Sequence, residues 1–265
     1  MLKETTKRTF ANGIVYLLKT DDDFSIEVTD TYLPYYTKDC INEHTNELKS
    51  NVIGTRADRW MIGVSTMSGC PVHCKFCATG KLKRWRSLTA EEIFEQAKFI
   101  LDKNSESNPK NSKEFKINYT RMGEPFLNIE NVKKAIELVD EYVGKDVKVH
   151  HYISTIGIKG SDFSWIKDNI TLQLSLHSLD EDRRHNLIPI NNLMSIEELG
   201  KIRTDSNLKT TLNMTLVDTA DFDIDKLKKY FDKEHFFIKL SPINENDISN
   251  ENNMGAGIIK GANII

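Results

Sequence analysis

Three of the four cysteines lie within eight residues of one another. Cys70, Cys74 and Cys77 follow a C-x3-C-x2-C spacing, and Cys40 stands thirty residues upstream of Cys70. Cysteine thiolates hold iron–sulfur clusters, and a four-iron cluster with only protein ligands takes four of them. Three cysteines leave one iron open to a ligand from outside the chain, as catalytic metal centres require. The spacing therefore predicts a 4Fe-4S cluster with one open iron.

Two other interpretations of the cysteine segment stay open. A structural zinc site would need His73 as its fourth ligand, but such sites usually bring their ligands in two separated pairs. His73 also directly precedes Cys74, so that closing a tetrahedron would strain the loop. The other interpretation is a loop of reactive thiols without metal. The first six residues lack the apolar core of a secretory signal. We therefore expect a reducing, cytoplasmic compartment, in which clustered thiols favour metal binding.

Apolar runs alternate with helical patterns from about residue 60 onward. The predicted strands are 61–66, 115–120, 147–154, 170–176, 209–216 and 236–241. The predicted helices are 90–101, 129–143, 180–186, 195–203 and 223–231. Thr89 and Glu92 form a capping box before the first helix, and Asn128 is the predicted N-cap of the second. This alternation predicts an α/β fold with a parallel sheet, either a doubly wound open sheet or a partial or complete α/β barrel, with ligands at the carboxyl ends of the strands.

Residues 1–58 lack this alternation. We expect them to form a small N-terminal accessory region with a hairpin between 14–18 and 25–29. The core barrel is expected over 59–265.

Composition and charge exclude several classes of protein. Hydrophobic residues make up 39% and charged residues 28% of the 265 positions, as in soluble globular domains rather than disordered chains. No apolar run approaches the ~20 residues that span a bilayer, so no membrane partner is expected. The net charge of −3 means that any contact with nucleic acid must come from a local patch. Segment 81–86, with four basic residues around Trp85, is either such a patch or a solvated basic turn.

Several segments, in order, resemble one known family. They are FCATG (76–80), RSLTAEEI (86–93), MGEPFLN (122–128), ST (154–155), SLH (175–177), IPIN (188–191) and PIN (242–244). The cysteine spacing after the first core strand is the signature of the radical SAM superfamily. The other segments resemble its RlmN/Cfr family of RNA (adenine) methyltransferases, over about residues 64–244.

The resemblance implies a partial (β/α)6 barrel and a set of cofactor ligands. Cys70, Cys74 and Cys77 would hold a 4Fe-4S cluster. S-adenosyl-L-methionine (SAM) would bind the open iron and be cleaved reductively to a 5′-deoxyadenosyl radical, with the electron coming from a donor such as flavodoxin or ferredoxin. The resemblance assigns SAM contacts to the following residues: Gly123, Glu124, Ser154, Ser175, Leu176, His177 and Asn244.

The sequence departs from that family at the thiols that transfer the methyl group. The family has one such cysteine near its C-terminus and another seven residues before the first cluster cysteine. Here the second position is Gly63, and no cysteine follows Cys77. Cys40, as a spare thiol, and Glu27, as a proton acceptor, are only weak catalytic candidates. Either the chain is truncated or it has diverged to another activity.

These observations predict a radical SAM enzyme that modifies a nucleobase or RNA, with an incomplete covalent-thiol route for methyl transfer. Position 121 is arginine where the family usually has glycine. The expected substrate contacts are Lys83, Arg84, Trp85, Arg86 and Arg121. One alternative is a radical SAM enzyme that acts on a small molecule or a protein. Another is a non-catalytic, metal-bearing module that binds nucleic acid.

Overall fold

The computed structural model describes residues 2–34, 53–215, 218–241, 243 and 246–254. The strands are β1 Lys3–Phe10, β2 Gly13–Lys19, β3 Ser25–Leu33, β4 Arg59–Val64, β5 Met67–Ser68, β6 Arg86–Ser87, β7 Glu114–Tyr119, β8 Val149–Thr155, β9 Ile170–Ser175, β10 Thr210–Thr215 and β11 Phe236–Ser241. The helices are α1 Ala90–Lys103, α2 Ile129–Val143, α3 Glu181–Leu187, α4 Ile196–Gly200, α5 Ile224–Tyr230 and α6 Asp247–Glu251. The six predicted core strands correspond to β4 and β7–β11, and helices lie in each connection between them except that from β8 to β9.

The chain divides into two compact units. The first contains residues 1–68, 87–122 and 128–152, and the second contains 69–86, 123–127 and 153–265. In the first unit the strand order is β1-β2-β3-β4-β7-β8; β1 to β4 pair antiparallel, and β4 pairs parallel with β7. In the second unit β9, β10 and β11 are parallel neighbours in that order.

Helices α1 and α2 pack against each other in the first unit. The predicted capping box of α1 is confirmed, because Thr89 Oγ1 accepts from the Glu92 backbone N–H and the Glu92 side chain accepts from the Thr89 N–H. The predicted cap of α2 is wrong in its chemistry. Asn128 is the N-cap residue but makes no capping hydrogen bond. Its Nδ2 instead donates to the carbonyls of Thr66 and Leu88, at 2.8 Å each.

The N-terminal region contains more sheet than the predicted hairpin. Strands β2 and β3 pair as expected, and β1 adds a further antiparallel strand in register from Lys3↔Lys19 to Phe10↔Gly13. Every residue of β1 is exposed, so its sequence shows no apolar alternation from which a strand can be recognised. Because β3 pairs with β4, these strands belong to the first unit; the domain boundary after residue 58 stays a prediction. No helix in the described part of the chain is long and apolar enough to span a bilayer.

Candidate functional site

The three clustered cysteines lie in the loop that begins at Gly69, after β5. All three thiols are free and half-buried. Backbone hydrogen bonds from Cys77 N to the Cys74 carbonyl (3.1 Å) and from Gly80 N to the Cys77 carbonyl (3.0 Å) close the loop into successive turns. The fourth cysteine, Cys40, lies outside the described residues.

The environment of Cys70 and Cys74 disfavours the thiolate form when no group is bound to the sulfurs. Burial raises the pKa of Cys70 to about 11 and that of Cys74 well above its usual range. The charges of Cys77 and Glu124 raise both further, so the loop concentrates negative charge when the thiols ionise. Three such sulfurs suit a cluster with one open iron, and loading it must displace their protons. Within the described residues, no three His, Cys, Asp or Glu side chains are grouped closely enough to hold a single metal ion.

His73, the fourth ligand of the zinc interpretation, takes part in the loop's own structure. It is exposed and has a positive φ of 54°, a conformation that is uncommon outside glycine. Its Nδ1 lies 2.9 Å from the carbonyl oxygen of Gly80. One ring nitrogen is therefore engaged in holding the loop rather than directed at the thiols.

Two other segments of the second unit hold the cysteine loop. The backbone N–H of Lys75 donates to the Leu187 carbonyl at the end of α3 (3.0 Å). At α6, Asn246 Nδ2 donates to the Phe76 carbonyl and Asn252 Nδ2 to the Lys75 carbonyl, both at 3.0 Å. The sequence did not indicate these two asparagines, because a polar stretch alone does not show which carbonyls its side chains reach.

Glu124 is a buried carboxylate with three donors. Thr155 Oγ1 donates to its Oε1 at 2.6 Å, the Phe126 N–H to the same oxygen at 3.0 Å, and the Ile156 N–H to Oε2 at 3.0 Å. The side chain is only 4% exposed, and burial raises its pKa to about 7 although each donor opposes this. A cation brought to this carboxylate would be bound strongly, because the site has already excluded water.

Arg184, on α3, is a fully buried cation that the sequence analysis did not single out. Its guanidinium donates to the carbonyls of Met194, at 2.6 Å, and of Ile156. Ile156 also donates to Glu124, so Arg184 holds the segment that orients the carboxylate. Burial lowers the pKa of His177, and the charge of Arg184 lowers it further. A charged residue within DEDRRHNLIPIN (180–191) was visible in the sequence, but its burial was not.

The polar residues at the ends of β8 and β9 come together as expected. The hydroxyl oxygens of Ser154 and Ser175 are 3.2 Å apart. The Thr215 N–H donates to His177 Nδ1 at 3.2 Å, so the remaining proton belongs on Nε2. Burial lowers the pKa of His177 to about 3, which keeps the ring neutral.

For the other predicted SAM contacts, the structure gives backbone features only or does not describe the residue. The Leu176 N–H is already used, donating to the carbonyls of Leu174 and Asn213. Gly123 has a φ of 104°, in the region that favours glycine. Asn244 lies outside the described residues.

The basic loop lies against the start of the cysteine segment. A Cβ on Gly69 would lie 2.6 Å from the Arg84 carbonyl oxygen and 2.8 Å from the Trp85 Cβ. Lys83, Arg84 and Trp85 are exposed, and Arg86 is half-buried. Cationic side chains and an aromatic ring therefore reach solvent next to Cys70.

Gly63, Arg121 and Glu27 meet in the first unit, separately from the residues above. The Arg121 guanidinium pairs with the Glu27 carboxylate. A Cβ on Gly63 would lie 2.4 Å from Thr29 Oγ1 and 3.0 Å from Arg121 Cδ. A side chain at position 63 would therefore require Thr29 and Arg121 to move. The two differences from the family pattern, at positions 63 and 121, are thus structurally linked.

Comparisons with known proteins show the family of this chain. A family model for the radical SAM superfamily matches residues 64–231, more than half of the chain. The dual-specificity RNA methyltransferase RlmN of Helicobacter hepaticus is 30% identical over 233 residues, which cover 83% of this chain and 62% of that protein. A probable RlmN of Pseudothermotoga lettingae is 34% identical over 68% of this chain and 54% of its own. The chain thus spans between half and two thirds of the length of these curated relatives.

A solved structure with the same fold is the crystal structure of a radical SAM methyltransferase from Sphaerobacter thermophilus. It superimposes with a TM-score of 0.64 at 23% identity, and the match covers 92% of this chain and 67% of that one. The similarity confirms the predicted α/β fold of the radical SAM type.

Proposed function

This chain belongs to the radical SAM superfamily, and from that premise we propose that it cleaves S-adenosylmethionine reductively at a 4Fe-4S cluster held by Cys70, Cys74 and Cys77. When bound, the cluster supplies the electron that breaks the sulfonium bond and releases a 5′-deoxyadenosyl radical. The electron itself comes from a small reducing protein of the flavodoxin or ferredoxin class.

The observation that carries this proposal is the buried carboxylate of Glu124 in the same compact unit as the three thiols. A carboxylate that is nearly inaccessible to water and still accepts three hydrogen bonds is costly unless a cation joins it. The ammonium group of SAM is such a cation. Glu124 binds and orients it, and Thr155 and Ile156 fix the carboxylate.

The remaining polar groups of the second unit orient the rest of SAM. The paired hydroxyls of Ser154 and Ser175 suit the ribose hydroxyl groups. The His177 ring, neutral and with a donor at Nε2, suits a hydrogen-bond acceptor of the cofactor. Phe76 lies edge-on to that ring, with the ring centroids 4.7 Å apart, and shields it from water.

We further propose that the substrate is RNA, modified at a nucleobase. The support is twofold: the matched relatives are named RNA methyltransferases, and the exposed Lys83, Arg84 and Trp85 can contact phosphate and stack on a base. A thiol at position 63 takes no part, because that residue is glycine and its neighbours fill the space.

Equilibrium binding of SAM to the anaerobically reconstituted protein tests the proposal. Glu124→Ala removes one charge-assisted hydrogen bond, and we expect SAM affinity to fall roughly ten- to a hundredfold. Glu130→Ala, at a glutamate on α2 whose side chain is 82% exposed, is the control and should bind SAM as the wild type does. Equal affinity in the wild type and Glu124→Ala would remove Glu124 from the SAM site.

A further inference from the structure

Arg121 crosses one strand of the first unit to reach its partner. It follows β7, and its backbone N–H donates to the carbonyl of Val64, the last residue of the neighbouring strand β4 (3.2 Å). Its side chain then passes over Gly63 to the carboxylate of Glu27 on β3. Only glycine at position 63 leaves this path open, so the arginine's position is built into the sheet.

The guanidinium is held in place but is not saturated. Nη2 donates to Glu27, and within the described residues no other hydrogen bond from Nε or Nη1 is found. The side chain is 36% exposed, and burial lowers its pKa, so that a second anionic partner would be favourable. Arginine presents its donors as a planar fork that matches two oxygens of a phosphate or carboxylate.

The surroundings of Glu27 carry more positive than negative charge. A cavity of about 140 Å³ adjoins Glu27 and is also lined by Lys7 and Arg8. Arg8 lies over the exposed ring of Phe10, 5.0 Å from its centroid. Arg121, which pairs with Glu27, and Arg8, which lines the cavity beside it, place two cations near one carboxylate. This balance favours an anionic ligand, and the exposed ring beside Arg8 favours one that carries bases.

We propose that Arg121 binds a phosphate of the RNA substrate through its Nε and Nη1 edge, with Glu27 holding the guanidinium in position. This inference rests on RNA being the substrate, as proposed above. Arg121 lies at the carboxyl ends of β4 and β7, where parallel strands present their ligand sites. In this proposal, that end of the sheet binds the sugar–phosphate backbone of the RNA rather than a base. Arg121 is then a substrate-binding residue that contacts the RNA non-covalently.

The test measures binding of a fluorescent single-stranded RNA oligonucleotide to the full chain at several salt concentrations. Arg121→Gln should weaken binding roughly tenfold and reduce the slope of log K against log salt by about 0.7, the value for one lost phosphate contact. Glu27→Gln keeps an acceptor for Arg121 but removes a negative charge, so it should tighten binding severalfold. Arg59→Gln is the matched control, because Arg59 pairs with Glu114 at the opposite end of β4.

The outcomes separate this inference from the proposed function. Opposite effects of Arg121→Gln and Glu27→Gln, with an unchanged slope in Arg59→Gln, support the phosphate contact. If the wild type binds RNA and Arg121→Gln behaves like Arg59→Gln, the inference is overturned and the RNA substrate stands. If Arg121→Gln and Glu27→Gln weaken binding equally and melt earlier to the same extent, the pair is only structural. If the wild type binds no RNA, both proposals fail.

Discussion

Glu124 sets the electrostatics of the candidate SAM site, and two opposing effects act on it. Three hydrogen-bond donors favour the ionised form, whereas burial favours the neutral form, and burial prevails. The carboxyl group therefore keeps its proton to about pH 7 in the protein without cofactor. A bound ammonium group would reverse that balance.

This balance predicts how stability depends on pH. Between the ordinary pKa of 4.5 and about 7, the folded chain holds a proton on Glu124 that the unfolded chain has released. The free energy of unfolding of the cluster-free protein therefore falls as pH rises through that window. The loss has an upper limit of about 3 kcal/mol, since one pKa unit corresponds to about 1.4 kcal/mol.

Chemical denaturation from about pH 5 to about pH 8 checks the prediction. Glu124→Gln cannot titrate, so its stability should change less with pH than that of the wild type. Glu130→Gln, at an exposed position, should follow the wild type. Parallel curves for the wild type and Glu124→Gln would show that the carboxyl titrates at its ordinary pKa in the fold.

The sequence alone marked the cysteines and Glu124 as candidate site residues, because their spacing and the glycine beside Glu124 are local features. The sequence did not indicate that Thr155 donates to Glu124 or that Arg184 is buried. Both act through contacts with segments far away in the chain, and a buried arginine cannot be told from an exposed one by its neighbours in sequence. The predicted SAM contact of the Leu176 backbone stays a prediction; its N–H donates to the carbonyls of Leu174 and Asn213.

The cysteine loop depends on short elements that pack around it. Its ends are regular turns, and its middle is fixed by the last residue of α3 and by two asparagines that flank α6. Asn246 has two roles, because its Oδ1 also caps α6 by accepting from the N–H groups of Ile248 and Ser249. Substitution with aspartate separates these roles, since aspartate can cap a helix but cannot donate to the Phe76 carbonyl.

We therefore expect Asn246→Asp to loosen the loop without unfolding α6. After reconstitution, it should lose iron to a chelator severalfold faster than the wild type, as measured by the absorbance of the iron–chelator complex. Asn250→Ala, at an exposed position within α6, is the control and should keep the wild-type rate. Identical release from Asn246→Asp and the wild type would mean that this hydrogen bond does not restrain the loop.

Element boundaries followed from the sequence where one face is apolar. Helix α2 begins and ends where its periodicity predicts, since Val132, Ala135, Ile136 and Val139 are all buried. Strand β1 could not be found, because it lies exposed at the edge of its sheet and pairs only through backbone groups. Asn128 was expected to cap α2, and its side chain instead joins two loops.

The whole chain alternates between its two compact units. Residues 69–86 and 123–127 belong to the second unit although the segments on both sides belong to the first. Contacts between segments that are far apart in the chain decide such a division, and composition along the chain does not reveal it. The second unit contains the three thiols, Glu124, the serine pair and His177, which are the residues that we propose for binding the cluster and SAM.

The formation of 5′-deoxyadenosine from SAM tests this account most directly. The reconstituted wild-type protein, reduced with dithionite, should release 5′-deoxyadenosine that mass spectrometry detects. Cys74→Ala should release none, and Glu124→Ala should release little unless SAM is raised in proportion to its lost affinity. Glu130→Ala should match the wild type. A wild-type protein that carries reduced iron and binds SAM, yet forms no 5′-deoxyadenosine, would contradict the account.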